Sequence, residues 1–450
     1  MKKIQFPPKK IQITAVKNGT HPTISKCCGS SHPTAVAPNK KLDDLTNDLL
    51  AALWNNEDTI GIEGSIIVEE ALHLVKGLKS GYGVTVGYNT PDTLAYQMME
   101  YNLFEFSATK AEARVAASTE LLLNDDKNGI RPYPEFEKLA SERLKDFNAN
   151  WLQTEYNLSV RVGQTSSDYH KALETKDDFP WVKYQTIGDS SVREAHAKLD
   201  GRYFNLNDKE AMQLWPPNGY GCRCRMLRSN RSNPPESQKT TGKLAQEMLN
   251  ADDAKWSKSQ FKINRGGLGT VFTKEQFYSD SKGLPKKLNQ MTFDKYDLKP
   301  WNSFKSDLNK IEIDPTITPD NVKELFKTVG DETFMRFKDY FGRKMILSKD
   351  TFETKRNGKY INNQENRHQL FPHVKEVLNN PDEVWFYDTY NDGKRFQSRY
   401  IKFYQDMALV VDCDVNQNAL QINTWYQLKA KEVAIRKGLL IKKKEKNNST

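Results

Sequence analysis

The chain has 450 residues, of which 37% are hydrophobic and 28% charged, and its formal net charge is +9. That length accommodates two or three domains with their own cores, and the mild basic excess is only a weak indication of nucleic-acid binding. No apolar run is long enough to cross a membrane, and the N-terminus lacks the apolar core of a signal peptide. We therefore expect a protein without a membrane partner that is cytosolic, or carried in a particle assembled in a cytosol.

The cysteines occur as the adjacent pair Cys27-Cys28, as Cys222-Arg223-Cys224, and as the single Cys413. An odd number of cysteines without a regular spacing is not a disulfide framework and indicates a reducing compartment. Adjacent cysteines chelate one metal ion poorly. The first pair, beside His21 and His32, is therefore a weak candidate metal site.

Most of the first half of the chain has helical periodicity. Residues 1–40 are rich in Pro, Lys, Thr and Ser and are predicted to form an extended arm. Beyond them, leucines recur at helical spacing, and the pattern Thr109-x-x-Glu112 predicts the start of a long helix. Residues 41–228 are thus predicted to form a mostly helical region, whose motif core is residues 181–228.

This motif core combines turn residues with potential metal ligands. Asp189-Ser190-Ser191 predicts the start of a helix over Val192 to Leu199, which carries His196. Pro216-Pro217-Asn218-Gly219 is turn chemistry, and it leads directly into Cys222-Arg223-Cys224. The turn therefore delivers two thiols to one place.

The two thiols and the histidine allow three interpretations. Cys222, Cys224 and His196 can supply three ligands to a structural zinc ion, with His170 or Asp200 as the candidate fourth ligand. A catalytic Cys–His pair is a second interpretation. In the third, the cysteines are small buried hydrophobes and the histidine forms a hydrogen bond across the turn. The sequence leaves all three open.

The motif core resembles the phage Mu F-like head morphogenesis family, the minor head proteins of tailed phages. The resemblance covers about residues 103–228. It rests on Trp181, Thr186 to Asp189, Val192-Arg193, His196, Leu199 to Gly201, and Pro217-Asn218-Gly219-x-Gly221-Cys222-Arg223-Cys224-Arg225. It implies a role in building the capsid near the portal vertex. Its implied partners are phage portal and capsid proteins, and its implied location is the virion or the bacterial cytoplasm.

Residues 229–313 are predicted to be a polar linker followed by an irregular segment. Residues 314–446 then read as an α+β module. A helix is predicted over Asn366 to Leu378, followed by strands over 383–387, 396–404, 407–413 and 419–426, with hairpin turn chemistry at Asn391-Asp392-Gly393. The predicted fold class is multidomain α+β, in which a mostly helical N-terminal region precedes a C-terminal helix plus antiparallel β-sheet domain.

The order of motifs in this module resembles the phage-associated nucleases of the barnase–EndoU–colicin–RelE class. The resemblance rests on Arg367-His368, Asn380 to Trp385, Arg399 to Lys402, Thr424 and Arg436-Lys437-Gly438. It implies a metal-independent ribonuclease without a cofactor. RNA is the implied substrate, with transfer RNA as one candidate, and an immunity protein is a candidate partner.

Metal-independent RNA cleavage requires a base for the 2′-hydroxyl, an acid for the leaving oxygen, and cations around the phosphate. The candidate catalytic residues are His368, His373, Glu383, Arg399 and Thr424, and the candidate phosphate-binding residues are Lys402 and Arg436. Each of them also has a structural interpretation as a surface, capping or ion-pair residue. The alternative for the whole module is therefore a non-catalytic interaction domain that binds portal, scaffold or DNA.

Overall fold

The structure is a computed structural model. It describes residues 39–83, 87–88, 90–126, 128–252, 256–278, 288–328, 333–353, 366–387, 397–416, 419–428 and 431–443. An N-terminal helical region is followed by a C-terminal, largely antiparallel sheet domain, so the predicted α+β class is confirmed. Nearly all of the predicted arm, with Cys27-Cys28, and the turn at Asn391-Asp392-Gly393 lie outside the described residues.

Long helices make up the N-terminal bundle: α1 (Lys40–Asn55), α2 (Ile60–Tyr82), α3 (Pro91–Thr119), α4 (Tyr133–Asn148) and α5 (Asn150–Glu174). The predicted helix start at Thr109 is wrong. Helix α3 begins at Pro91, and Thr109 lies within it, where its hydroxyl donates to the Phe106 carbonyl at 2.8 Å. Proline at the first helical position is already in helical geometry. Among the described helices, none is both long and apolar enough to cross a membrane.

A small sheet follows the bundle. Its strands β1 (Trp181–Gln185), β2 (Tyr203–Asn205) and β3 (Arg225–Arg228) are arranged in the order β2-β1-β3, with both pairs antiparallel. Short helices accompany it: α6 (Glu194–Ala197), α7 (Lys209–Met212), α8 (Gly242–Asp252) and α9 (Arg265–Leu268). Helix α6 is shorter than the predicted Val192–Leu199 helix. The small sheet was not predicted, because strands this short carry little alternation.

The C-terminal sheet is larger. Its strands are β4 (Phe334–Lys338), β5 (Lys344–Ser348), β6 (Glu383–Tyr387), β7 (Gln397–Phe403), β8 (Ala408–Asn416), β9 (Ala419–Gln427) and β10 (Leu439–Lys442). They follow the order β10-β6-β7-β8-β9-β5-β4, and every pair is antiparallel except β5 with β9. The four strands predicted after the helix are therefore confirmed, with small differences at their ends.

Short helices surround this sheet: α10 (Pro319–Thr328), α11 (Asp350–Glu353), α12 (Arg367–Leu370), α13 (Val374–Asn379) and α14 (Glu432–Ile435). The continuous helix predicted over Asn366 to Leu378 is wrong. A 3₁₀ turn over Phe371–His373 separates α12 from α13. It contains Pro372, which has no N–H to donate to a continuous helix.

The helical bundle and the back face of the large sheet share one hydrophobic core. Its buried members extend from Leu42 in α1 to Ile441 in β10. At its centre, the rings of Phe104 on α3 and Phe386 on β6 meet edge to face, with centroids 5.0 Å apart. The helices therefore cover part of the sheet directly.

The front face of the sheet is partly covered by residues 293–308, which we name the strap. It consists of 3₁₀ turns over Phe293–Tyr296, Trp301–Ser303 and Lys305–Asp307. Phe304 packs edge to face on Phe403, with centroids 5.4 Å apart, and the Trp301 indole donates to the Tyr404 carbonyl at 2.9 Å. The strap belongs to the segment predicted to be irregular. It has little regular structure, but it is packed on the sheet.

We predict that Phe104→Ala lowers the free energy of unfolding by about 3–5 kcal/mol, since it removes a buried ring between the bundle and the sheet. Phe386→Ala should cost a similar amount. A double-mutant cycle in urea should give a coupling of about 0.5–1.5 kcal/mol for this aromatic pair. Leu244→Ala is the control, because that side chain is 44% exposed. Strictly additive losses would show that the two rings do not pack together.

The pH dependence of stability offers a second test of this interface. Burial raises the pKa of Glu100 on α3 from 4.5 to about 7, although the nearby Arg343 guanidinium opposes the rise. A folded-state pKa above the unfolded value means that stability is fully present below about pH 4.5 and is lost as pH rises through 7.

We therefore expect the free energy of unfolding of the wild type to fall by about 3 kcal/mol as the pH rises from about 4.5 to about 7. Glu100→Gln should abolish this fall, because glutamine does not ionise. The measurement is the urea unfolding free energy of both proteins at several pH values. Glu57→Gln, at an exposed position, should leave the pH profile unchanged. Parallel profiles for the wild type and Glu100→Gln would contradict the prediction.

Candidate functional sites

Cys222, Cys224 and His196 form a buried cluster in the motif core. The sulfur atoms of Cys222 and Cys224 lie 3.8 Å and 3.6 Å from Nδ1 of His196. The three ligand atoms all lie within 4.8 Å of one another. Zinc bonds of about 2.0–2.3 Å in a tetrahedral site place ligand atoms at separations of this size. The spacing of these three atoms therefore fits three of the four ligands of a tetrahedral zinc site.

The loop before β3 is folded around Arg193. The Asn218 amide donates to the Leu214 carbonyl, and the Arg193 guanidinium donates to the Tyr220 carbonyl, both at 2.8 Å. A Cβ at Gly219, whose φ is +155°, would lie 2.4 Å from Nη1 of Arg193. Only glycine admits that approach. The turn residues therefore hold the loop in the shape that brings Cys222 to His196.

The electrostatics of the cluster follow from its short contacts. A hydrogen bond from the Cys224 thiol lowers the pKa of Cys222, with His196 adding to the effect, although burial opposes it. The same contact and burial raise the pKa of Cys224.

The two fourth ligands proposed from the sequence are wrong. The Asp200 carboxylate accepts from the Thr186 amide at 2.7 Å, and the His170 ring packs edge to face on Tyr169. Among the residues that the structure describes, neither side chain joins the cluster, nor does any other His, Cys, Asp or Glu. A fourth ligand from outside this set, such as water, would complete tetrahedral coordination.

The front face of the large sheet carries a second, polar cluster beside the strap. Arg399 on β7 lies opposite Asp412 on β8. Its Nε and Nη2 donate to the two Asp412 carboxylate oxygens at 2.7 and 3.0 Å. Nη2 also donates to the Tyr387 hydroxyl, and Nη1 to the Ile435 carbonyl, both at 2.8 Å. Four of the five guanidinium N–H groups are thus engaged, which fixes the position of the guanidinium on this face.

Thr424 lies in the same cluster. It is the partner of Asp412 in the β8–β9 register. Its hydroxyl accepts from Nη1 of Arg367 at 2.6 Å, and the neighbouring Tyr426 hydroxyl donates to Asp412 at 3.3 Å. His368 is half-buried and follows Arg367 in α12. The structure therefore places Arg399 and Thr424 on either side of Asp412, and His368 one residue from the arginine that contacts Thr424.

The other predicted site residues have different surroundings. Glu383 and Arg436 form a buried ion pair, and burial raises the pKa of Glu383 although Arg436 opposes the rise. Lys402 donates to the Asn380 carbonyl at 3.0 Å, and the His373 ring lies 2.9 Å from the Glu312 carbonyl. Chemical roles for these four residues stay predictions.

Sequence reasoning missed four members of the polar cluster: Tyr387, Asp412, Tyr426 and the side chain of Arg367. The register of the β7–β8 hairpin could have identified Asp412 as the partner of Arg399. Residues directly opposite each other in an antiparallel pair share a face, so an aspartate in the strand after Arg399 was a candidate partner. The turn between those strands defines this register.

These features define a two-part protein. A helical region ends in a loop motif with a Cys–His cluster, and an α+β domain carries a polar cluster on one face of its sheet. Residues 127–227 match the family described as phage Mu protein F like protein. Residues 322–443 match the family described as phage-Barnase-EndoU-ColicinE5/D-RelE like nuclease 2. The chain thus carries a phage Mu F-like domain followed by a nuclease-family domain, as the two resemblances implied.

Two curated relatives match part of the chain. One is the putative capsid assembly protein F of Escherichia phage Mu, which is 33% identical over 75 residues, or 17% of each chain. Another is the Mu-like prophage FluMu F protein of Haemophilus influenzae, which is 34% identical over 92 residues, or 19% of this chain and 22% of the relative. The chain thus matches about a fifth of either relative's length. No solved structure matches it.

Proposed function

We propose that the chain is a phage minor head protein that acts in capsid morphogenesis near the portal and carries a C-terminal ribonuclease domain. The head role is supported by the Mu F-like domain and by the similarity to a protein named for capsid assembly. The proposed partners are phage portal and capsid proteins. The proposed location is the virion or the bacterial cytoplasm.

The ribonuclease part of the proposal is supported above all by the Arg399–Asp412–Tyr387 cluster beside Thr424, within the region that matches a nuclease family. A charge fixed in a buried, preorganised site stabilises a developing negative charge more than a mobile one in water does. Arg399 supplies that charge to the phosphate, and the Thr424 hydroxyl donates to a phosphate oxygen.

His368 is the proposed proton carrier. The RNA 2′-hydroxyl attacks the adjacent phosphorus, a base takes the hydroxyl proton, and an acid returns a proton to the departing 5′-oxygen. The proposed substrate class is RNA, with transfer RNA as one candidate, and an immunity protein is a proposed partner of the domain. No cofactor takes part in these steps.

We expect the full chain, expressed in a bacterium, to produce discrete RNA cleavage on a gel. His368→Ala and Thr424→Val should reduce cleavage by about 100-fold or more, in the range of a lost acid, base or oxyanion donor. Arg399→Lys keeps the charge but loses the fork that binds Asp412, and it should retain partial activity. Arg143→Ala, at an exposed position in α4, is the control. The full chain is required because bundle and sheet share a core.

A folded wild-type chain that leaves cellular RNA intact would reject the ribonuclease proposal. Circular dichroism and a single cooperative urea transition establish folding in that experiment. Intact RNA would favour the alternative, a purely structural head protein whose C-terminal domain is a non-catalytic interaction module for portal, scaffold or DNA. Equal cleavage by the wild type and all three variants would instead place the chemistry elsewhere.

We also propose that Cys222, Cys224 and His196 bind a structural zinc ion. The spacing of their ligand atoms fits tetrahedral zinc. The bound ion would hold α6 against the loop before β3. The nuclease steps above do not use it.

Purified protein should therefore contain about one zinc ion per chain by elemental analysis, and Cys222→Ser should lose it. Cys413→Ser is a matched control, because Cys413 is also buried but lies in β8. Metal-free wild-type protein with free thiols would favour the packing interpretation of the two cysteines.

A further inference from the structure

One arginine contacts the front face of the sheet, the strap and α14. Nε of Arg436 donates to the Glu383 carboxylate on β6, and Nη1 donates to the Lys299 carbonyl of the strap, both at 2.9 Å. Nη1 also donates to the Glu432 carboxylate of α14. The side chain is 1% exposed, and its guanidinium lies 4.3 Å from the centroid of the Phe293 ring. Arg436 thus joins the sheet, the strap and α14.

Glu432 makes the second connection between the strap and α14. Both of its carboxylate oxygens lie 3.1 Å from the backbone nitrogen of Trp301. A charged acceptor strengthens such a hydrogen bond. The same carboxylate contacts Arg436. Together, Glu432 and Arg436 bind the strap to α14, and we name this pair the clasp.

The clasp continues to the polar cluster through one carbonyl. Ile435 is the last residue of α14 and lies between Glu432 and Arg436 along the chain. Its carbonyl accepts from Nη1 of Arg399 at 2.8 Å. The Ile435 carbonyl holds Nη1 in place, whereas Asp412 and Tyr387 hold Nε and Nη2. Displacement of α14 would therefore move or release Nη1 of Arg399.

We propose that Glu432 and Arg436 are positioning residues that set the orientation of Arg399 through the Ile435 carbonyl. This inference rests on the proposed ribonuclease function for its catalytic consequence. It gives Arg436 a positioning role through its contacts with Glu383, Glu432 and the Lys299 carbonyl. That role needs no contact between Arg436 and the substrate. The strap lies N-terminal to the family-matched region 322–443. Through its contacts with Glu432 and Arg436 it would help to position Arg399.

Glu432→Gln in the full chain tests the inference, because it keeps the size of the side chain and removes its charge. We expect kcat for RNA cleavage to fall by about 10- to 100-fold, the effect of a small misplacement of a catalytic group, with KM nearly unchanged. Arg436→Lys should act in the same direction. Glu247→Gln, at an exposed position in α8, should cleave at the wild-type rate.

The decisive measurement repeats Glu432→Gln in an Arg399→Lys background. If the clasp acts through Arg399, the second substitution should add little to the loss already caused by the first. A full, independent loss in both backgrounds would mean that the clasp only stabilises the fold. An unchanged kcat in Glu432→Gln alone would also overturn the inference.

Failure of the proposed function leaves a separate readout. If the wild-type chain cleaves no RNA, equilibrium urea unfolding is measured instead. The four proteins compared are the wild type, Glu432→Gln, Arg399→Lys and the double variant. The clasp then predicts that the two substitutions are non-additive, since each loosens the same connection between α14 and β7. Additive effects on stability would show that Arg399 and Glu432 are not linked.

Discussion

The back face of the large sheet must be covered, and its partner is the helical bundle. Phe386 and its apolar neighbours bury their surface against α3 and α2 in the same core that holds the bundle together. Each fully buried large apolar side chain contributes about 1.5–3 kcal/mol, so the two regions stabilise each other. With this face used for packing, the polar cluster around Arg399 lies on the opposite, front face. The Mu F-like and nuclease-family regions are therefore distinct in sequence but joined physically.

The front face is divided between an apolar part under the strap and a polar part around Arg399. The strap covers Ile401 and Phe403, which a strand pattern alone would leave exposed to water. Arg399, two residues before Ile401 on the same face, is satisfied by Asp412, Tyr387 and the Ile435 carbonyl instead. A buried guanidinium without such partners would be strongly destabilising. The strap thus covers the apolar side chains of this face, and the polar cluster supplies acceptors to its buried arginine. Both contact α14.

The four strands β6 to β9 were predictable because alternation and turn residues report directly on a half-buried sheet. The long helix α3 was misplaced at its start because Thr109 and Glu112 fit a capping pattern by composition, whereas Pro91 begins the helix. The proximity of His196 to Cys222 was suggested by one dense motif. The partnership of Arg399 with Asp412 depends on a hairpin register, and a pattern of residue types does not specify it.

The two loop structures that matter most here share one physical basis. Around Arg193 and around Arg436, an irregular segment is held by a guanidinium that donates to a backbone carbonyl, at Tyr220 in one case and Lys299 in the other. A carbonyl outside helices and sheets has no regular backbone donor, and the planar fork of arginine reaches several acceptors at once. Periodicity detects neither contact, because both depend on side chains distant from the loop in sequence. An arginine that donates to the backbone of an irregular segment distant in sequence is therefore as much a folding element as a helix cap is.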